Sequence, residues 1–106
     1  KIMYVAMNRF KIAPGKEEAF EAIWRNRQSN LAEVPGFQQF HLLRGESNED
    51  FTLFATHVIW ETEQYFNDWS TSDHFKKSHA RAGGASTEGM YLGRPNFEGF
   101  TAVLAE

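Results

Sequence analysis

Apolar and polar residues alternate along the chain with different periods, and these periods predict its secondary structure. A period of two predicts a strand over Tyr4–Ile12, which Pro14 and Gly15 end. From Lys16 to about Glu33 the apolar positions recur at helical spacing, so we expect a helix there. The apolar stripe of this helix consists of Phe20, Ile23, Trp24 and Leu31.

Two segments rich in strand-forming residues follow in the middle of the chain. Phe37–Arg44 and Phe51–Trp60 are joined by the polar stretch Gly45–Asp50, which predicts an antiparallel hairpin with a longer loop. Near the end of the chain, the glycine-rich stretch Gly83–Asn96 predicts a long loop. Phe97–Leu104 is then expected to form the last strand.

A second helical pattern lies between these strands. Thr62 is expected to cap a helix at its N-terminus. The apolar stripe of that helix consists of Tyr65, Phe66 and Trp69. The polar run Ser70–Asp73 interrupts the stripe and offers a cap for a second short helix, which carries Phe75 and His79 one turn apart. The resulting bend allows Trp69 and His79 to share one pocket.

The predicted order is strand, helix, strand, strand, helix, strand. This order is typical of the α+β ferredoxin-like fold, a split βαβ arrangement in which helices cover one face of an antiparallel sheet. The uncovered face of the first strand would carry the apolar side chains of Met3, Val5 and Met7. We therefore expect a second copy of the chain to cover that face, giving a homodimer.

Composition limits the functions that the chain can perform. Its 106 residues, 42% hydrophobic and 24% charged, indicate a single domain over residues 1–106. A net charge of −3 without a basic patch argues against nucleic-acid binding. The lack of cysteine excludes disulfides, thiolate zinc sites, iron–sulfur clusters and cysteine nucleophiles. No apolar run reaches the ~20 residues of a membrane span and no signal pattern is visible, so we predict a cytoplasmic location.

Aromatic residues make up 15% of the chain, and ten of them are phenylalanines. A domain of this size leaves a large share of its surface exposed, so burying so many rings is difficult. Two explanations stay open: a core rich in phenylalanine, or an excess that a second subunit or a flat ligand covers.

Two polar residues occupy positions that are expected to face the core between the sheet and the helices. Asn8 shares a strand face with Ala6 and Phe10, where an unpaired amide costs about 1–3 kcal/mol. Its amide either binds a neighbouring loop or a buried water, or it is directed into a pocket. Arg27 follows Trp24 by one turn on the apolar stripe, so it reaches the rim, pairs with a carboxylate or binds an anionic ligand.

Among the four histidines, His79 is the strongest candidate for a ligand of a metal or cofactor, because it precedes the glycine-rich loop on an apolar helix face. His41 and His57 in strands, and His74 in the first turn of the short helix, have no companion that suggests chemistry. A zinc site is not supported, since no second histidine or carboxylate lies one turn from His79. An ordinary hydrogen bond at His79 and a cofactor that needs one protein ligand, such as haem, both stay open.

Several motifs resemble one known family over nearly the whole chain. They are Met7–Phe10, Pro35–Phe37, Trp60–Trp69 (WETEQYFNDW), Phe75–His79 and Phe97–Phe100. Together they are similar to antibiotic biosynthesis monooxygenase domains. Asn8, Trp69 and His79 match the Asn/Trp/His set of the IsdG-like haem-degrading monooxygenases, and the C-terminal segment resembles proteobacterial haem-utilisation relatives.

This resemblance implies a dimeric α+β barrel and a role for each matching residue. His79 would be the axial ligand of the haem iron, Asn8 would form a hydrogen bond on the opposite side of the haem, and Trp69 would press on the ring. Phe75 would contact the haem, and Arg27 would steer a propionate. Haem would be both substrate and cofactor, opened with O2 and electrons from an external donor such as an unidentified reductase, with release of iron.

Two other functions are compatible with the sequence. One is a cofactor-independent monooxygenase acting on a quinol-like aromatic, because the same fold supports different chemistries. Such an enzyme would be colourless and would need no haem. The other is a haem carrier or sensor without catalysis, in which bound haem would survive reductant and O2.

Overall fold

A computed structural model of the protein describes residues 3–27, 31–72 and 89–106. A short 3₁₀ turn covers Leu31–Glu33. The strands and helices in chain order are β1 (Tyr4–Ile12), α1 (Glu17–Asn26), β2 (Phe37–Ser47), β3 (Thr52–Trp60), α2 (Glu63–Ser70) and β4 (Asn96–Thr101). The strands form one antiparallel sheet in the order β2-β3-β1-β4. This arrangement confirms the predicted α+β ferredoxin-like fold, with the helices on one face.

The alternation of side chains along β1 divides the sheet into two faces. The buried side chains of β1 are those of Tyr4, Ala6, Phe10 and Ile12. Arg9 and Lys11 are exposed on the opposite side, as the alternation predicted. Since Phe10 pairs with Phe54, the same faces continue across β3. We call the side beneath the helices the helix face and the other side the outer face.

The first helix is shorter than predicted. It ends at Asn26 and does not continue to about Glu33, because the backbone of Arg27 is extended, with φ −69° and ψ 145°. Leu31, which the periodicity placed on the helical stripe, lies in the 3₁₀ turn and is buried in the core beneath α2. The core position of Phe20 is confirmed, since its ring is fully buried and lies 4.8 Å from that of Phe54.

The hairpin is tighter than predicted, and the last strand is shorter. β2 continues to Ser47 and β3 begins at Thr52, so the turn is confined to residues 48–51. Asn48 Oδ1 stabilises this turn by accepting hydrogen bonds from the backbone N–H groups of Asp50 and Phe51, at 2.7 and 2.9 Å. β4 ends at Thr101, whereas the prediction extended it to Leu104, and Val103 and Leu104 are exposed.

The predicted cap of the second helix is confirmed. Thr62 Oγ1 accepts a hydrogen bond from the backbone N–H of Tyr65 at 3.4 Å, and α2 ends at Ser70. The predicted short helix with Phe75 and His79 lies outside the described residues, as does most of the Gly83–Asn96 loop. Neither α1 nor α2, the helices of the described part, is long and apolar enough to cross a membrane.

Buried side chains on the helix face form two separate clusters. The cluster beneath α1 consists of Phe10, Ile12, Phe20, Phe54 and Met90. The cluster beneath α2 consists of Tyr4, Ala6, Leu31 and Trp60. Along β1, Asn8 stands between Ala6 of one cluster and Phe10 of the other. The two helices therefore pack on separate cores, and the position between these cores is occupied by an amide.

The outer face carries an apolar row. Ile59 of β3, Val5 of β1 and Phe100 of β4 lie directly opposite one another in the sheet register. Phe100 is 45% exposed, so this row is not covered within one chain. An ion pair between Arg9 and Glu98, at 3.0 Å, lies further along the same face.

Candidate functional site

Asn8 lies in a row of residues that runs across the helix face. The register places Thr56 of β3 on one side of Asn8 and Phe97 of β4 on the other, and Leu42 of β2 lies beyond Thr56. Thr56 is buried, with 4% of its surface exposed, and Asn8 is half-buried. The middle of this row is therefore polar on a face that is apolar on both sides.

The side-chain amide of Asn8 has no hydrogen-bond partner among the described residues. Of the two interpretations that the sequence left open, a bond to a neighbouring loop is thus not found in residues 3–27, 31–72 and 89–106. The amide is not one of the fully buried, unpartnered polar groups of the described part, so its polar atoms reach solvent. The amide is available to a ligand, and its direction into a pocket stays a prediction.

The second helix packs Trp69 and Phe66 on the helix face against the cluster that contains Tyr4, Ala6 and Trp60. Trp69 is half-buried, and its ring lies 5.4 Å from that of Trp60 and 6.3 Å from that of Phe66. Phe66 in turn contacts Phe97, the cross-strand partner of Asn8, at 5.5 Å. Asn8 and Trp69 are therefore connected indirectly, through Phe97 and Phe66.

Phe97 is a residue of this region that the sequence analysis did not identify. The sequence placed it in the last strand and in the motif Phe97–Phe100 without a role at a site, yet it is 48% exposed on the helix face. Its place beside Asn8 depends on the register between β1 and β4, which are far apart in the chain. The sequence shows an aromatic residue in a predicted strand. Neither its exposure nor its register with β1 can be derived from the pattern of the chain.

Arg27 has aromatic partners instead of an acidic one. Its guanidinium carbon lies 4.4 Å from the ring centre of Trp24 and 4.8 Å from that of Phe40, and these two rings stack at 5.7 Å. Burial lowers the pKa of Arg27, although a guanidinium stays protonated in proteins. No described carboxylate lies within ion-pair distance of it, so the expected pairing with a carboxylate is not found in that part of the chain. Its charge is held by cation–π contacts.

The α1 side of the helix face is not sealed. A cleft of about 560 Å³ opens there; its lining residues are Glu21, Trp24, Arg25, Phe40, Leu42, Arg44 and Phe54. The indole N–H of Trp24 is buried and has no hydrogen-bond partner within the described part. Leu42 belongs both to this cleft and to the row that contains Asn8, so the cleft meets the row at its β2 end.

The remaining predicted site residues, His79 and Phe75, lie outside the described residues, and their roles stay predictions. Within the described ranges, no group of histidine, aspartate and glutamate side chains could hold a metal ion. His41 and His57 pair across β2 and β3 with their rings 5.8 Å apart. Both are on the outer face, on the other side of the sheet from Asn8.

The described part of this region is suited to a flat and largely apolar ligand. Phe97 and Trp69 offer aromatic surface, Asn8 offers an amide, and Arg27 adds a positive charge on the α1 side. The row across the sheet contains no acid or base that titrates near neutral pH. Its residues can therefore bind and orient a ligand, while a group that carries electrons or activates oxygen must come from elsewhere.

Comparison with known proteins agrees with this structure. Residues 3–81 match the family model described as antibiotic biosynthesis monooxygenase. A heme oxygenase (staphylobilin-producing) from Staphylococcus saprophyticus is 27% identical over 77 residues, which are 73% of this chain and 73% of that protein.

Solved structures with the same fold cover nearly the whole chain. A Bacillus cereus protein assigned to antibiotic biosynthesis monooxygenases superposes with a TM-score of 0.75 at 14% identity, covering 100% of this chain and 98% of that one. A Bordetella bronchiseptica protein of the same assignment gives 0.73 at 22% identity, covering 98% and 100%. SnoaB from Streptomyces nogalater, a cofactor-independent oxygenase, gives 0.64 at 18% identity, covering 99% and 97%. At these identities the likeness shows the fold alone.

Replacing Asn8 with leucine should stabilise the ligand-free protein. Leucine has nearly the same size but no groups that need hydrogen bonds, so we expect the free energy of unfolding in urea to rise by about 1 kcal/mol. Asn48→Leu is the matched control, because Asn48 accepts two backbone hydrogen bonds in the hairpin turn. That variant should lose about 1–2 kcal/mol. Equal losses at both positions would show that the Asn8 amide is bonded in the free protein.

Proposed function

The chain belongs to the antibiotic biosynthesis monooxygenase family, and on that premise we propose that it is a haem-degrading monooxygenase. Members of the family are oxidoreductases. Haem, as the substrate, supplies both the ring that is opened and the iron that activates O2, and an external reductase provides the electrons for a reaction that releases iron.

The observation that carries this proposal is the environment of Asn8. A half-buried amide without a partner in the described part lies opposite the half-exposed Phe97, whose ring stacks on Phe66, and the ring of Phe66 lies 6.3 Å from that of Trp69. Such a combination fits a flat, largely apolar ligand that accepts a hydrogen bond near its centre. The staphylococcal relative, which is named as a heme oxygenase, supports haem as that ligand.

The residues proposed to hold haem contact it from both sides of the ring. His79 is the proposed axial ligand, because a neutral imidazole binds haem iron well. Asn8 is proposed to donate a hydrogen bond from the sheet on the opposite side, where an amide N–H stabilises developing negative charge. Phe75, which the sequence predicts to lie one helical turn before His79, is proposed to contact the ring.

Trp69 is proposed to press on the ring and hold it out of plane. Its indole is backed by Trp60 at 5.4 Å and by Phe66 at 6.3 Å. Because closely packed aromatic side chains move little, the indole would keep its position when a ligand contacts it. The same aromatic surface excludes water from the apolar part of the ring.

Arg27 is proposed to bind a carboxylate of the ligand. Its guanidinium is partly desolvated above Trp24 and Phe40 and has no acidic partner in the described part. A charge-assisted hydrogen bond to a propionate would satisfy donors that the two rings cannot satisfy. The carboxylates of the proposed ligand would then lie on the α1 side.

Proteins of this family are commonly dimers, and we propose that this chain forms a homodimer through its outer face. The row Ile59, Val5 and Phe100 is apolar across three neighbouring strands, and Phe100 is 45% exposed within one chain. A second copy of the same row would cover it in a symmetric, sheet-on-sheet contact. The helix faces of both copies would stay open to ligand.

Titration with hemin tests the proposed ligand. We expect wild-type protein to bind hemin at one to one with a Soret band, and His79→Ala to lose that band, because the axial ligand is removed. His41→Ala, on the outer face, is the matched histidine control and should bind like wild type. Normal hemin binding and degradation by His79→Ala would contradict the proposed role of His79. Oxidation of a quinol by a colourless protein that ignores hemin would support the cofactor-independent alternative.

The Asn8→Ala variant separates binding from catalysis. We expect it to bind hemin but to degrade it at least about a hundredfold more slowly with ascorbate in air, because the hydrogen-bond donor is lost. The measurement is the decay of the Soret band and the release of iron to a chelator. A wild-type rate in Asn8→Ala would remove Asn8 from the reaction, whereas hemin that survives reductant and O2 in the wild type would indicate a carrier or sensor.

The Val5→Glu variant tests the proposed homodimer. A carboxylate in the middle of an apolar interface has no partner, so we expect the dissociation constant of the dimer to rise by at least about a hundredfold. Sedimentation equilibrium at micromolar concentration would then give the mass of one chain. Asn67→Glu, on the exposed side of α2, adds the same charge away from this face and should stay dimeric. A dimeric Val5→Glu would exclude this interface.

A further inference from the structure

We propose that Phe97 is a ligand-binding residue, and that the free face of its ring is the surface on which a flat aromatic ligand packs beside Asn8. This inference rests on the proposed function for the identity of the ligand. It assigns a role to a residue that lies in the Phe97–Phe100 motif but outside the matching set of Asn8, Trp69 and His79.

The exposure of Phe97 is the first argument. Its side chain lies on the helix face, the side of the sheet that holds both hydrophobic clusters, yet it is 48% exposed. The facing residue on β1 is Asn8, which neither cluster includes. A half-exposed phenylalanine at the position between the two clusters leaves apolar area that a ligand can cover.

The orientation of the ring is the second argument. Phe97 stacks on Phe66 with the ring planes only 10° apart and the centroids 5.5 Å apart. A parallel ring on one side fixes the plane of Phe97 and leaves its other side for a parallel partner. Stacked rings with an offset are a favoured geometry, so a planar ligand gains from this arrangement.

Phe66 acts as a positioning residue in this proposal. Its ring contacts four other aromatic rings, those of Tyr4, Trp60, Trp69 and Phe97. The plane of Phe97 is therefore coupled to the position of Trp69 through a single side chain. The hydroxyl of Tyr4 reaches across Gly99, where any larger residue would clash with it, so β4 lies close to this cluster.

The position beside Asn8 is the third argument. Directly opposed residues of antiparallel strands have Cβ atoms about 5 Å apart on the same face. A ligand that stacks on Phe97 therefore lies within reach of the Asn8 amide. Phe97 would orient the plane of the ligand, and Asn8 would form a hydrogen bond with it.

Binding of protoporphyrin IX tests this inference without iron. Because the probe has no metal, ligation by His79 contributes nothing, and affinity is measured by quenching of tryptophan fluorescence. We expect Phe97→Ala to raise the dissociation constant about tenfold, and Phe97→Leu, which keeps apolar volume without a flat face, to raise it nearly as much. Phe97→Tyr should restore the wild-type value.

Leu92→Ala is the matched control, because Leu92 is 44% exposed outside this region. It should bind protoporphyrin IX like wild type, and thermal unfolding should show that all variants are folded. Wild-type affinity in folded Phe97→Leu, an equal loss in Leu92→Ala, or no binding of protoporphyrin IX by the wild type would each overturn the proposal. A Phe97 effect in a protein that cannot degrade hemin would leave this inference standing while the proposed function fails.

Discussion

The architecture depends on one constraint: a polar pair, Asn8 and Thr56, lies at the centre of a sheet face that is otherwise apolar. A continuous core across this face would need an apolar side chain at position 8. With an amide there, the buried residues separate into one cluster beneath α1 and another beneath α2. A continuous core would make the folded state more stable. The chain has a polar position between the helices instead, and such a loss of stability is common at functional sites.

The high aromatic content is explained by the same division. Most of the rings either belong to the two clusters, where Phe20 and Trp60 are fully buried, or pack against them. Two phenylalanines of β4 do not belong to either. Phe97 is exposed on the helix face and Phe100 on the outer face. The flat ligand and the second subunit that we propose would therefore cover opposite sides of one strand.

Elements controlled by local pattern could be predicted from the sequence. The bounds and the buried face of β1, the Thr62 cap and the order of elements follow from periodicity and capping chemistry. Features controlled by distant parts of the chain could not. The helical stripe continues past Arg27, but the backbone leaves the helix there and Leu31 packs beneath α2.

The same distinction applies to the candidate site. Asn8 could be found because an amide in an apolar alternation is visible in the chain itself. The aromatic environment of Arg27 and the place of Phe97 beside Asn8 depend on tertiary packing and on the register between β1 and β4. For His79 and Phe75, the resemblance to a known family is the source of their proposed roles.

The NMR signals of the Asn8 side-chain amide provide the most direct test of whether a flat ligand binds beside Asn8. Its NH2 resonances in a ¹⁵N–¹H NMR spectrum, assigned by comparison with Asn8→Leu, can be followed while protoporphyrin IX is added. The account predicts a saturable shift of the Asn8 signals at one ligand per chain, with those of Asn48 in the hairpin turn unchanged. Saturated binding that leaves the Asn8 signals where they were would contradict it.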